Sequence, residues 1–171
     1  GAFVTNLSSS RAIEDVADAH GQPVYRSAVG EINVVQKMKA VDAILGGEGN
    51  GGVILPDLHH GRDALVGTAM VLQHLADTGQ TLAEVHDDLP HYAIVKDKRD
   101  LPDVEVSAVL EEMARRYDDH DHSTIDGLKI NFADRWVHMR PSNTEPILRV
   151  YAEAPDQDGA RDLADRFKRE L

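Results

Sequence analysis

The chain has 171 residues, no cysteine and a formal net charge of −12, from 30 acidic and 18 basic residues. That length fits one large domain or two small ones. The lack of cysteine excludes a disulfide framework and thiolate metal centres. The acidic balance argues against a general nucleic-acid binder, which needs basic surface to displace counterions. No apolar run approaches a membrane span and no secretory signal is readable, so a cytoplasmic protein is expected.

Gly1-Ala2 reads as a cloning or cleavage remnant, and the strand pattern begins at once, so the chain is expected to be a piece of something longer. Residues 3–7 alternate as a strand, and Ser8-Ser9-Ser10 offers an N-cap to a helix whose apolar face is Ala12, Ile13, Val16 and Ala17. Gly21 and Pro23 end it. A second strand at 24–28 leads through Gly30 into a helix that buries Val34, Val35, Met38 and Val41. Residues 43–45 then read as a short, wholly apolar strand. This β-α-β-α-β order predicts an α/β domain: three layers, with a mixed, mostly parallel sheet. After the glycines at 46–52 come a strand at 53–55, a polar connection with His59 and His60, and a helix capped by Asp63 through Leu65, Ala69, Leu72 and Ala76 to Gly79. A short helix over 81–89 precedes Pro90.

Composition shifts near residues 79–91, which predicts two domains, 1–85 and 86–171. The second begins with a strand at 92–95 and a charged turn at 96–103. Ser107 is the expected cap of a helix with the stripe Val106, Val109, Leu110, Met113, Ala114 and Tyr117, and with surface pairs Glu111–Arg115 and Glu112–Arg116. Strands at 128–132, 136–139 and 147–152 follow, then a helix opened by Pro155 and Asp156 with Ala160, Leu163, Ala164, Phe167 and Leu171 inward. The order β-α-β-β-β-α predicts an α+β domain with an antiparallel sheet and two helices.

Two loops carry the chemistry. Gly47, Gly49 and Gly52 match a dinucleotide fingerprint in spacing, but a strand and Pro56 follow where a helix is required, and no P-loop lysine is present. What remains is a glycine-rich loop with one carboxylate, Glu48, which can accept two hydrogen bonds from a vicinal diol, and one amide, Asn50. Arg140-Pro141-Ser142-Asn143-Thr144-Glu145-Pro146 gathers a guanidinium, two hydroxyls, a carboxamide and turn N–H groups, donors that suit a phosphate. The residues 118–122, Asp-Asp-His-Asp-His, read as a solvated acidic turn rather than a metal site, His59-His60 is discounted similarly, and no catalytic triad or nucleophile is readable. Together the two loops describe a receptor for a phosphorylated sugar.

Both loops resemble those of the phosphohexomutases, the family of phosphoglucomutase, phosphomannomutase and phosphoglucosamine mutase. Gly47 to Gly52 is similar to the sugar-recognition loop of that family's third domain, and Arg140 to Pro146 to the phosphate loop of its fourth. The stretches Val29-Gly30-Glu31 through Lys37-Met38, His60 to Ala64 and Asp126-Gly127-Leu128-Lys129 also resemble the family. The resemblance implies most of a third domain plus a fourth domain. The phosphorylated serine, the Mg²⁺ loop and the preceding domains would lie outside this chain. Such an enzyme moves phosphate between O1 and O6 of a hexose phosphate through a phosphoserine and a hexose bisphosphate intermediate. By resemblance, Glu48, Asn50 and Gly51 bind the sugar; Arg140, Ser142, Asn143 and Thr144 hold the non-reacting phosphate; the chain itself supplies no catalytic residue and no metal ligand. Its partners would be the hexose phosphate and the N-terminal domains, with no nucleic acid and no membrane. Asn50 and Gly52 stand where many members carry Ser and His, which leaves the preferred hexose open. A phosphoglucosamine mutase and a non-catalytic sugar-phosphate-binding module are the alternatives.

Overall fold

The computed structural model describes residues 1–100, 105–142, 145 and 147–171. They form two compact units, Gly1–Pro90 and His91–Leu171.

The first unit contains β1 (Phe3–Asn6), α1 (Ala12–Ala19), β2 (Val24–Ser27), α2 (Glu31–Val41), β3 (Leu45–Glu48), β4 (Gly52–Ile54), α3 (Ala64–Thr78) and α4 (Leu82–Asp88). Its sheet has the order β2-β1-β3-β4, with β1 parallel to both β2 and β3 and β4 antiparallel to β3. The β1 side chains alternate between faces, so Val4 joins Val34, Val35, Met38, Ala43 and Ile54 in one core under α2.

The third strand departs from expectation. Ile44 is 52% exposed and lies before the strand, which instead runs through Leu45 into the glycines, with Val4 opposite Gly46 and Thr5 opposite Gly47. A Cβ on Gly46 would lie 2.2 Å from the Met38 sulfur, so α2 packs against a stretch of strand with no room for a side chain. The glycines are therefore mainly a tight β3–β4 hairpin rather than a free loop. Asp63 caps α3 as expected, its carboxylate accepting from the N–H groups of Leu65 and Val66, and Thr81 with Glu84 forms a capping box on α4. The apolar residues of α3 are not core, however: Leu65 is 82% and Leu72 60% exposed. On α1 only Ala17 is buried, and the expected serine cap is corrected: Arg11 holds the N-cap position without a side-chain cap, while Ser10 Oγ accepts from the Ala12 N–H.

The second unit contains β5 (Ala93–Asp100), α5 (Val106–Arg116), β6 (His122–Ser123), β7 (Leu128–Asn131), β8 (Trp136–Pro141), β9 (Ile147–Ala154) and α6 (Gln157–Glu170). The sheet is antiparallel throughout, in the order β5-β9-β8-β7-β6. Leu128, Ile130, Val137, Met139, Leu148, Val150 and Ala152 point to one face and meet Met113, Leu163, Ala164 and Phe167 of the two helices. Burying a side chain of this size contributes about 1.5–3 kcal/mol, so this one face accounts for much of the unit's stability.

Four local expectations are corrected here. The charged stretch at 96–100 is strand, not turn, because Lys96 to Asp100 continues the pairing with β9 from Tyr151 to Ile147. Ser107 is not the cap of α5; Glu105 holds that position and Ser107 Oγ bonds to its carboxylate. The surface pairs are Glu112–Arg115 and Arg116–Glu170. The segment 118–122 is only partly solvated: His120 packs edge-on against Tyr117 and Phe132, and His122 begins β6. Among the described residues no helix is long and apolar enough to cross a membrane.

Candidate functional site

In the first unit the site is built around Glu48 at the end of β3. Its Oε1 accepts from Asn6 Nδ2 at 2.8 Å and from the Gly30 N–H at 3.0 Å, and its side chain is only 5% exposed. Asn6 ends β1 and Gly30 caps α2, so one carboxylate oxygen ties together two strands and a helix N-terminus. That oxygen is committed to the protein. Glu48 Oε2 has no hydrogen bond among the described residues; its nearest cation is Arg62 Nη1 at 3.9 Å. Two lone pairs on that one oxygen, rather than two oxygens, are what a pair of hydroxyls would meet.

The surroundings fix this geometry. Asn6 Oδ1 accepts from the Ser8 N–H and Ser9 Oγ–H, and Ser9 Oγ accepts from the Gly49 N–H at 2.8 Å. Arg26 holds the same segment through the main-chain oxygens of Asn6, Ser9 and Ser10, while pairing with Glu14. Arg62 is held by Glu31, whose two carboxylate oxygens take its Nε–H and main-chain N–H and whose pKa those contacts lower. Asn50 is exposed, with Oδ1 accepting from the Gly52 N–H; Gly51 has φ of 91°, which a side chain rarely tolerates. Asn6 was not singled out by the sequence reading, and Arg62 entered it only within the family-like stretch His60 to Ala64, with no role. A strand-ending Asn and an Arg just before a helix cap have no pattern of their own, and only the folded registers bring them to Glu48.

In the second unit Arg140 lies near the end of β8, directly opposite Arg149 on β9. Like charges facing each other across two strands are destabilising, and the next residue in this row, across from Arg149 on β5, is Lys98. Among the described residues no carboxylate lies within 4 Å of Arg149; its hydrogen bond goes to Tyr151 Oη at 3.3 Å. Glu145 acts on Arg149 through space, and its main-chain oxygen accepts from the Ile147 N–H. A row of three cations in a chain of net charge −12 is a surface suited to an anion. Arg140 itself has Asp126 Oδ2 at 3.2 Å from Nε, in contact but outside hydrogen-bond alignment. Ser142 continues the same edge, its N–H bonded to the Ile147 oxygen. Asn143 and Thr144, also expected at the phosphate, lie outside the described residues.

Two neighbours set the local chemistry. A Cβ on Gly127 would lie 2.2 Å from the Met139 oxygen and 2.8 Å from Arg140 Cα, at a φ of 78°. Gly127→Ala should therefore cost about 3 kcal/mol in urea unfolding, from backbone strain and displacement of β8; a loss below about 1 kcal/mol would contradict this packing. His138 is fully buried, and its Nε2–H donates to the Asp126 main-chain oxygen at 2.7 Å. Burial lowers its pKa from 6.5 to about 4. Between those values the unfolded chain binds a proton that the folded chain does not, so stability is full above pH 6.5 and falls as pH drops towards 4, by up to about 3 kcal/mol. The carboxylates lowered by their partners, Asp97 through Lys168 foremost, lose their contribution at lower pH. His138→Gln should flatten the change in urea midpoint between pH 6.5 and 4.5; a wild-type midpoint constant over that range would refute the assignment.

Among the described residues, the carboxylates of both sites are engaged by cations or amides rather than arranged around an open metal position. Glu31 and Glu48 face Arg62, Asp126 faces Arg140, and in the 118–122 segment Asp119 pairs with His120 while Asp121 accepts from Asn131. His59 is likewise engaged, between Asp63 and the Gly61 N–H.

Residues 1–92 match the family model described as phosphoglucomutase/phosphomannomutase, alpha/beta/alpha domain III, and residues 92–170 match the phosphoglucomutase/phosphomannomutase C-terminal domain. The chain is 36% identical over 164 residues to a phosphoglucomutase/phosphomannomutase of Thermococcus kodakarensis, covering 95% of this chain and 36% of that protein. It is 34% identical over 171 residues to a probable phosphoglucosamine mutase of Methanopyrus kandleri, covering 98% and 37%. The chain thus spans little more than a third of the length of these relatives. A crystal structure of a family protein from Burkholderia thailandensis superposes with a TM-score of 0.82 at 26% identity, over 99% of this chain and 37% of the other. The fold alone is shared with an Aspergillus fumigatus N-acetylphosphoglucosamine mutase solved with GlcNAc-6P and magnesium, at a TM-score of 0.66, 16% identity and coverage of 99% and 38%.

Proposed function

The chain belongs to the phosphoglucomutase/phosphomannomutase family, and from that premise we propose that it is the substrate-holding part of a phosphohexomutase, gripping the hydroxyls of a hexose phosphate with Glu48 and its non-reacting phosphate with Arg140. The observation that carries this reading is the state of Glu48: a nearly buried carboxylate with one oxygen fixed by Asn6 and Gly30 and the other unbonded among the described residues. Such a group is held too rigidly for a surface charge and is left with acceptor capacity suited to paired hydroxyls. In the second unit Arg140 and Arg149, directly opposite each other across β8 and β9, supply the charge for a phosphate, with Ser142, Asn143 and Thr144 as further donors; the sugar contact is completed by Asn50 and Gly51.

In the whole protein the reaction is the interconversion of hexose 1-phosphate and hexose 6-phosphate by way of a phosphoserine and a hexose bisphosphate. The family's serine motif and Asp-rich Mg²⁺ loop do not occur in this sequence, so its residues contribute positioning and charge neutralisation. A guanidinium pair that holds one phosphate while the sugar reorients serves both half-reactions. The test is an assay of phosphate interconversion with glucose and mannose phosphates: the full-length protein is active and the 171-residue chain alone is not. Activity in the isolated chain, or none in the full-length protein with either sugar or with glucosamine phosphate, would overturn the proposal.

A further inference from the structure

The turn before β7 has no role in the reading above, yet it is fixed on Arg140 from three directions. Leu128 pairs with Met139, which brings residues 126 and 127 beside residue 140. Gly127 approaches the Met139 oxygen and Arg140 Cα too closely for any side chain. His138 donates to the Asp126 main-chain oxygen at 2.7 Å. The result is a carboxylate 3.2 Å from Arg140 Nε, with both side chains about four-fifths buried at 19% and 18% exposure.

We infer that Asp126 is a positioning residue of the phosphate site: its carboxylate holds the Nε edge of Arg140, so that Nη1 and Nη2 form the edge presented to phosphate oxygens. This rests on the reading that Arg140 grips phosphate. An arginine side chain is long and loses considerable rotamer freedom when fixed, and a bidentate contact needs its planar fork in one orientation. Arg149 sits directly opposite as a like charge, and the Asp126 carboxylate offsets the repulsion between them.

The sign of one substitution separates this role from that of a bystander. A carboxylate beside an anion site repels the anion, so if Asp126 were only a nearby charge its neutralisation would tighten phosphate binding. Positioning predicts the reverse. The 171-residue chain is titrated with inorganic phosphate, followed by NMR of the Arg140 Nε–H and of backbone amides, for wild type, Asp126→Asn, Asp126→Glu and Arg140→Ala. Asp126→Asn should weaken binding about five- to tenfold and broaden or shift the Arg140 Nε–H signal. Asp126→Glu, which keeps the charge but moves it, should also weaken binding and stands in if the Asn variant does not fold. Unchanged or tighter binding in Asp126→Asn, or wild-type affinity in Asp126→Glu, overturns the inference while leaving Arg140 as a phosphate ligand. Binding that survives Arg140→Ala overturns the phosphate reading itself, and the inference with it.

Discussion

Arg140→Ala in the full-length protein should lower kcat/KM by about 30- to 1,000-fold, the loss of roughly 2–4 kcal/mol from a charge-assisted, bidentate contact that persists into the transition state. Stability should fall by no more than about 1–2 kcal/mol, because losing the pair with the largely buried Asp126 carboxylate is partly offset by relief of the like charge of Arg149 directly opposite. Removing one of two facing guanidiniums relieves repulsion in the empty site and removes attraction in the filled one. A structural arginine would show the opposite pattern, with stability lost and catalysis following only through the unfolded fraction. Steady-state kinetics with hexose 1-phosphate, paired with thermal unfolding, separates the two. An unchanged kcat/KM would remove Arg140 from the mechanism.

The second large effect is at Glu48, where stability and binding part company. Glu48→Ala leaves the Asn6 carboxamide and the Gly30 N–H without their acceptor, and unpaired polar groups at a nearly buried site cost about 1–3 kcal/mol each. The expected result is a loss of about 2–4 kcal/mol in urea unfolding together with loss of sugar binding. Glu48→Gln keeps one carbonyl oxygen for Asn6 and Gly30 but replaces the other oxygen with an amide donor facing Arg62. It should unfold within about 1 kcal/mol of wild type and still fail to hold the sugar. If Glu48→Gln binds hexose phosphate normally, the carboxylate's role is confined to the fold.

The layout of both units was readable because periodicity and punctuation agree along most of the chain. Met38 and Val34 recur at helical spacing, Asp63 and Gly79 bracket α3, and alternation from Val137 to Met139 and Leu148 to Ala152 marks one face of the second sheet. The errors share a cause: a residue's local preference was overruled by its neighbours in space. Glycines at 46–47 read as loop because nothing in the sequence shows how near Met38 passes. The charges at 96–100 read as turn because an edge strand's polar residues look like those of a loop. At the candidate site, Glu48 and Arg140 stand out in the sequence through the motifs around them. Arg62 and Asp126 stand out only as members of family-like stretches, and Asn6 and Arg149 not at all; each reaches its place only through a sheet register or a tertiary turn.

The proposal stands most directly on Glu48 taking sugar hydroxyls and Arg140 taking phosphate. Titrating the 171-residue chain with glucose 6-phosphate and, separately, with inorganic phosphate, while following the amide signals of Gly30 and Gly49 in the first unit and of Ser142 and Arg149 in the second, tests both roles. Glucose 6-phosphate should move both sets and inorganic phosphate only the second. Glucose 6-phosphate shifts confined to one unit, or movement of Gly30 and Gly49 with inorganic phosphate, would contradict it.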